Sequence, residues 1–333
     1  MSFSLDPAFT KNADGTLTLT ELSLMPPQRR PRFLCTGGCG FIGHHLVKTL
    51  QQAGAEVMVI DDMSSGNHRP ATSVVFHCMD INSPLFIEFA RAWKPAVIFH
   101  LAAQASLLKS VQDPVYDAKV NILGTLRVIE AARQTGARLV TASTSAVYDQ
   151  TVQPPWTEDT RVRPDRPYGA SKAAAEMYVA ISEQSHAILR FGNVIGPGQV
   201  KVGENQVVPH ALDHLFLSAP FTVNGDGEQT RDFIYVGDVV DGLIAAARST
   251  ASGIFNIGTG VPTTVNELLS ILAEVSGKTV EWKHGPAKPN EPRQNWLDPS
   301  RAWKILNWRA QYDVEEALRR TVADYQKTLS LGG

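Results

Sequence analysis

Cysteine is scarce in this chain, with three in 333 residues. Cys35, Cys39 and Cys78 are odd in number, and Cys35-x-x-x-Cys39 has no second ligand pair, so neither a disulfide framework nor a zinc site is indicated. They read as buried thiols in a reducing cytoplasm. No apolar run approaches the roughly 20 residues needed to cross a bilayer, and the opening Met-Ser-Phe-Ser-Leu-Asp, acidic early, does not have the form of a secretory signal. Charge imbalance is lacking too: 31 Lys and Arg against 33 Asp and Glu leave a formal net charge of -2. That gives no electrostatic footprint for nucleic acid or an anionic membrane. Internal repeats and low-complexity tracts are also missing.

What is there begins at residues 33–43, Phe-Leu-Cys-Thr-Gly-Gly-Cys-Gly-Phe-Ile-Gly, a short apolar run that breaks into glycines before an amphipathic stretch over 44–53. Gly38-x-Gly40-x-x-Gly43 fits the dinucleotide fingerprint, and Gly37-x-x-Gly40-x-x-Gly43 its variant with wider first spacing. The glycines serve a tight strand-to-helix turn, close approach to a pyrophosphate, and a helix lying against its strand. A second apolar run, 56–60, closes on Asp61 and Asp62, about 20 residues further on, where a carboxylate accepts ribose hydroxyls and repels a 2′-phosphate. This favours NAD over NADP; Arg69 is the nearby cation that works against the preference.

Residues 1–31 read as an added arm, in which 16–24 alternate as a strand does before the proline-rich 26–31; edge strand, hairpin and loose segment all remain open. From Phe33 onward, strands near 33–36, 56–61, 74–77, 96–101, 138–143 and 187–190 alternate with helical stretches. That predicts an α/β fold with a doubly wound parallel sheet of the Rossmann type. The NAD-binding domain is expected over 32–195, with further core segments after 230. Residues 196–333 are expected to form mainly a smaller C-terminal α/β substrate lobe, with helices over 207–218, 236–248, 265–276 and 314–329. The proline-rich 286–292 is unsuited to a core element.

Two further stretches carry chemistry. Tyr168 and Lys172 stand four apart on a helix, so phenol and ammonium share one face. A phenol of pKa ~10 needs about 4 kcal/mol of preferential support for its anion to act as a base near pH ~7. A neighbouring ammonium and an oxidised nicotinamide both contribute in that direction. The strand over 139–143 ends in hydroxyls at Thr141, Ser143, Thr144 and Ser145, at the sheet edge where open α/β sheets bind ligands; a hydroxyl there can bridge a sugar alcohol and a phenolate. The simpler reading of that cluster is a capped turn.

With these residues in view, the chain resembles the extended short-chain dehydrogenases/reductases of the nucleotide-sugar epimerase and dehydratase family, over about residues 33–328. The motifs that carry the resemblance, in order, are Thr36 to Gly43, Asp80-Ile81, His100 to Gln104, Asn121 with Gly124-Thr125, Ser143-Thr144, Tyr168 to Lys172, Arg190 to Asn193, Gly225 to Asp232, Asn256 to Gly258 and Asp298 to Ala302. The resemblance implies that Gly37, Gly40, Phe41, Ile42 and Gly43 hold the pyrophosphate of NAD. It gives Asp61 and Asp62 the adenosine ribose, and Asp80 with Ile81 the adenine. Leu101, Ala102 and Ala103 line the nicotinamide side, with Asn121, Tyr168 and Lys172 beside them. Thr144, with Ser145 next to it, orients the sugar 4-hydroxyl, and Tyr168 is the acid/base. Asn193 meets the substrate diphosphate, and Gln206, Val207, Arg231 and Lys288 surround the nucleotide. Lys288 stands where the family usually has Arg, which gives up bidentate binding.

The resemblance also sorts the reactions. Dehydratases of the family carry an Asp-Glu pair after the strand-end Thr, and decarboxylases a Glu; here those positions are Ser145 and Ala146, so elimination lacks its acid and base. What remains is 4-epimerisation of a UDP-hexose: removal of hydride from C4, turning of the 4-keto sugar about its diphosphate tether, and return of hydride to the other face. UDP-glucose/UDP-galactose is the first expectation. The alternative is UDP-glucuronate/UDP-galacturonate, for which Ala146 and Val200 lack the expected carboxylate contacts while Lys201 offers a substitute. Further alternatives are a reductase using free NADPH and a non-catalytic NAD-sensing protein. A cytoplasmic homodimer is expected, the resemblance implying pairing through helices at about 105–135 and 169–184, where the apolar positions Leu123, Leu126, Val128 and Ile129 suit either such a contact or packing on the sheet. No nucleic-acid or membrane partner is expected. His44 and His45 read as helix surface near the cofactor, Trp296, Trp303 and Trp308 as packing, and 315–320 as a solvated helix face.

Overall fold

The computed structural model describes residues 10–11, 17–18 and 30–331, apart from 67, 200, 202–205, 220, 279 and 289–291. Seven strands form one parallel sheet: β1 (Arg32–Thr36), β2 (Glu56–Asp61), β3 (Val75–Cys78), β4 (Val97–His100), β5 (Arg138–Thr144), β6 (His186–Phe191) and β7 (Gly253–Ile257). Their order across the sheet is β7-β6-β5-β4-β1-β2-β3. The chain runs outward from β1 to one edge, then returns through β4 to the other. Between β1 and β4 the direction reverses, and a crevice opens there at the carboxyl ends of the strands.

Strand sequences such as Val-Ile-Phe-His in β4 are apolar on both faces because helices cover both. Phe33, Cys35, Val57, Val59, Val97, Phe99 and Val140 point to one side, into a core shared with Leu46, Val47 and Leu50 of α1 (Phe41–Gln52). The alternate residues Leu34, Met58, Ile60, Ile98 and Leu139 point to the other, against α2 (Leu85–Trp93) and, past α3 (Leu107–Gln112) and α4 (Pro114–Ala118), α5 (Gly124–Thr135) and α6 (Pro167–Ala180). Each fully buried Val, Leu or Ile on these faces contributes about 1.5–3 kcal/mol. Between α4 and α5, Lys119–Leu123 forms a π-helical turn.

A third apolar cluster gathers Leu212 of α7 (Val207–Leu217), Phe233, Leu268 and Leu272 of α9 (Val265–Ser276) and Leu318 of α10 (Val314–Leu331). Helix α8 (Val236–Arg248) packs instead on the main sheet, against β5 and β6. Helix α9 starts with a capping box in which Thr264 and Glu267 satisfy each other's backbone N–H groups. The helices foreseen after residue 196 agree with these bounds within two residues, whereas β7 was not foreseen as a strand. Its Gly-Ile-Phe-Asn-Ile is short and bracketed by glycine, and only pairing with β6 makes it extended.

In the arm, Leu17–Thr18 pairs antiparallel with Thr10–Lys11; the remainder of 16–24 lies outside the described residues, as do 26–29. Among the described residues no helix is long and apolar enough to cross a membrane. One thiol departs from expectation: Cys78 is exposed, because it ends β3 at the open edge of the sheet, while Cys35 and Cys39 are buried.

Candidate active site

The glycine turn closes as its sequence requires. Gly37 adopts φ +72°, and a Cβ there would lie 2.4 Å from the Ala102 nitrogen; a Cβ on Gly43 would lie 2.1 Å from the Gly37 carbonyl oxygen. At Gly40 the same construction meets only the Gly37 carbonyl, at 3.4 Å, so that side of the turn is open. Gly40 is also the N-cap of α1 and carries no side-chain cap. The first-turn N–H groups of Phe41, Ile42 and Gly43 therefore form the positive end of a helix, a place for an anion.

Around this turn Gly37, Gly40, Asp61, Asp62, Asp80, Ile81, Leu101, Ala102 and Ala103 line one cleft. Asp61 is buried, and its two oxygens accept from the Cys39 N–H at 2.9 Å and the Met63 N–H at 2.8 Å. Burial pushes its carboxyl pKa up and these two bonds pull it back; acceptor capacity is left for hydroxyls. The cleft also takes in Ser64, Ser65, Gly66, Met79 and Val120, which the sequence did not single out. Small loop residues such as Ser64, Ser65 and Gly66 carry no local pattern that separates a ligand wall from an ordinary turn.

At the end of β5, Thr144 caps a single 3-10 turn over Ser145–Val147, its hydroxyl accepting from the Ala146 N–H at 3.2 Å, and the Tyr168 phenol comes close enough to feel that hydroxyl. Gly169 lets α6 come this close, since a Cβ there would lie 2.5 Å from the Ala146 carbonyl oxygen. Burial pushes the Tyr168 phenol up to about 12; the nearby Thr144 hydroxyl lowers it and the charge of Asp117 raises it. Bringing that phenol to neutral pH requires about 7 kcal/mol of added support for its anion. Lys172, one turn on, is buried and donates to the Ala142 carbonyl at 2.7 Å. Burial pulls its ammonium down to about 8, while the charges of Glu176 and Asp117 hold it up.

Asn121 sits inside the π-helical turn, a local widening often found at functional sites. Its amide donates to the Gln104 carbonyl (3.0 Å), Asp117 (3.2 Å) and the Ser171 hydroxyl (3.0 Å), tying the loop after β4 to α6. Behind Thr144, the Ser143 hydroxyl donates to Glu176, which also holds Arg190 through a 2.6 Å ion pair. The Arg190 guanidinium lies 4.6 Å from the Tyr148 ring centroid, and the Tyr148 hydroxyl donates to Asn256. This connected set of buried polar groups fixes β5, β6 and β7 relative to α6.

The residues expected on the substrate side are more dispersed. Asn193 starts a short strand, Asn193–Ile195, whose pairing with Phe233–Tyr235 sets its N–H on the Asp232 carbonyl at 2.7 Å, beside Arg231. Arg231 is half-buried and donates to the carbonyls of Thr230 and Pro292. Gln206 is the N-cap of α7 and Val207 its first residue; Lys288 is half-buried. Ser145 is buried beside Asn295, whose amide nitrogen lies 3.5 Å from its hydroxyl; that asparagine was not foreseen. Lys201 is ion-paired with Asp213, and Val200 lies outside the described residues.

One expectation changes. His44 and His45 are half-buried rather than surface: their rings stack on each other and His44 on His68, and His45 bonds the Pro197 carbonyl at 2.8 Å. The cause is the loop after Ile195, which folds back onto the first turns of α1. Of the apolar positions on the expected pairing helices, Val128 is fully buried on the sheet and Leu126 and Ile129 are half-buried, leaving Leu123 exposed. Leu108, Val111, Val115, Met177 and Ile181 are exposed apolar residues there as well.

A dinucleotide suits this site, on the evidence of an open turn where a Cβ would intrude, an uncapped helix N-terminus and a buried carboxylate facing one cleft. Residues 33–258 match the family described as the NAD dependent epimerase/dehydratase family. The UDP-glucose 4-epimerase of Mycolicibacterium smegmatis is 38% identical over 304 residues, 87% of this chain and 97% of that protein. UDP-glucuronic acid decarboxylase 1 of Arabidopsis thaliana is 32% identical, over 91% of this chain and 71% of that protein. Among solved structures, UDP-glucose 4-epimerase of Thermotoga maritima with UDP-glucose superposes with a TM-score of 0.86 at 35% identity, covering 90% of this chain and 99% of that one.

Proposed function

Since this chain belongs to the NAD dependent epimerase/dehydratase family, we propose that it is a UDP-hexose 4-epimerase that interconverts UDP-glucose and UDP-galactose. The observation that carries this reading is the turn after β5, where Thr144 meets the Tyr168 phenol and the next two residues are Ser145 and Ala146. Elimination or decarboxylation needs an acid or second base at that place, and serine and alanine supply neither.

NAD is the cofactor, held by the glycine turn, the first turn of α1 and Asp61; when bound it accepts and returns hydride and sets positive charge beside the phenol. Tyr168 takes the O4 proton and gives it back, Thr144 orients the 4-hydroxyl, and Lys172 favours the phenolate. After oxidation the 4-keto sugar turns about its diphosphate, which Asn193 and Arg231 hold, with Gln206, Val207 and Lys288 around the nucleotide. One base then serves both directions, because Tyr168 faces C4 in either pose. The cluster of α7, α9 and α10 is the substrate lobe, following a dinucleotide domain that starts after the arm at residue 32 and takes in α8 and β7. Pairing of two chains through the exposed apolar residues of α3, α4 and α6 completes the reading as a homodimer, a state that sedimentation tests.

The ion pair of Lys201 with Asp213 favours a neutral hexose over a uronate, since that ammonium is already committed. The test is incubation of the purified chain with UDP-glucose and with UDP-glucuronate, C4 epimers being resolved by NMR. Galactose is the expected product. Formation of a 4-keto-6-deoxy sugar or a pentose refutes the assignment.

A further inference from the structure

Asp117, the fourth residue of α4, is 1% exposed. One carboxylate oxygen accepts from the Gln104 amide at 2.8 Å and the Asn121 amide at 3.2 Å. The other, Oδ2, is buried with no hydrogen-bond partner. A buried oxygen left without a partner is costly, and a cation nearby offsets part of that cost.

The elements around it narrow that cation. Helix α4 packs on α6, which carries Tyr168 and Lys172. The Asp117 charge is felt at both the Lys172 ammonium and the Tyr168 phenol. Lys172 is also approached by Glu176 from α6, by His100 from β4 and by the Ala142 carbonyl from β5. Glu176 acts more strongly on Lys172 than Asp117 does. Its oxygens, however, are shared with Arg190 and the Ser143 hydroxyl, so most of its charge is compensated in place. His100 is held neutral by burial, with a threonine hydroxyl on each ring nitrogen. Asp117 is thus the carboxylate near Lys172 whose charge no ion pair cancels among the described residues.

We propose that Asp117 is a positioning residue for proton transfer: its buried carboxylate is the counter-charge that keeps Lys172 an ammonium beside Tyr168. The same negative charge opposes the phenolate directly, so its benefit is exerted through Lys172. The linkage is also mechanical. Asn121 joins Asp117 to the Ser171 hydroxyl, which donates to the Tyr168 carbonyl at 3.0 Å, so carboxylate, π-helical turn and the first turn of α6 move as one unit.

This inference rests on the roles given above to Tyr168 and Lys172, and its test does not require turnover. The full chain is labelled with ε-carbon-13 lysine, the Lys172 resonance is assigned with Lys172→Arg, and its titration is followed in the unaltered chain and in Asp117→Asn. Loss of the opposing charge is expected to lower the Lys172 midpoint by about one pH unit, and the alkaline limb of kcat moves down with it. A midpoint lowered by less than about half a pH unit overturns the proposal, since an uncancelled opposite charge in a buried site has a larger effect. If Asp117→Asn does not fold, the unaltered chain labelled with γ-carbon-13 aspartate supplies the reading. An aspartate carboxyl resonance must inflect at the Lys172 midpoint, and its absence overturns the proposal equally. A chain inactive on every UDP-hexose refutes the epimerase reading and leaves this titration intact.

Discussion

Replacing Glu176 by glutamine is expected to destabilise the fold by about 3–5 kcal/mol, the usual cost of leaving one member of a buried ion pair unpaired. The side chains of Arg190 and Glu176 are 2% and 5% exposed, so neither charge has recourse to water. Arg190 donates to both Glu176 oxygens, at 2.9 and 2.6 Å, and Ser143 donates to one of them. What Arg190 keeps after the change is the Tyr148 ring and the Glu158 carbonyl at 3.3 Å, neither of which carries a full negative charge. Glutamine preserves shape and one acceptor, so the loss reports the uncompensated charge. At about 2–4 °C per kcal/mol for a large domain, the melting temperature should fall by roughly 6–20 °C. Because residues 168, 172 and 176 share one face of α6 and Ser143 precedes Thr144, kcat should fall as well. The assay is a thermal-melt cycle at one scan rate with Glu176→Met, Arg190→Met and Glu176→Met/Arg190→Met, run alongside Glu176→Gln. The double variant should recover at least half of the single-variant loss, since an apolar pair carries no desolvation penalty. Full additivity of the two losses, or a Glu176→Gln effect under about 1 kcal/mol, refutes the reasoning.

Tyr168→Phe should lower kcat by about 10²–10⁴-fold while KM for the UDP-sugar changes little; steady-state kinetics measures both, and a near-normal kcat removes the phenol from the proton transfer. Asp61→Asn keeps the size of the side chain but weakens acceptance of the Cys39 and Met63 N–H groups and of ribose, so the purified variant should carry less NAD than the parent chain. Retention of stoichiometric NAD, read from absorbance after acid release, contradicts that role.

Much of the site was legible because its residues lie within single local elements. A strand, a glycine turn and the start of α1 occupy one short segment, and Tyr168 and Lys172 sit one turn apart on one helix, so spacing alone gives their relation. The strand-end hydroxyl of Thr144 was legible for the same reason. Asp117 and Asn295 were not, because what distinguishes them is burial against other elements, and a lone Asp or Asn in a helix or loop looks the same whether solvated or buried. The stacking of His44 on His68 depends on where the loop after Ile195 lands, which no local period encodes. β7 fails for a related reason, since its few residues become a strand only by joining β6. The exposed apolar residues on α3, α4 and α6 show the limit of periodicity in the other direction: the pattern of α5 reveals an apolar face without saying whether sheet or partner covers it.

The most direct test of the central claim follows one atom. UDP-galactose carrying deuterium at C4 is incubated with the purified chain in ordinary water and the product is analysed by NMR and mass spectrometry. Hydride removal and return within a closed site predict UDP-glucose that keeps the deuterium at C4. Product with inverted configuration and hydrogen from solvent at that carbon contradicts the account.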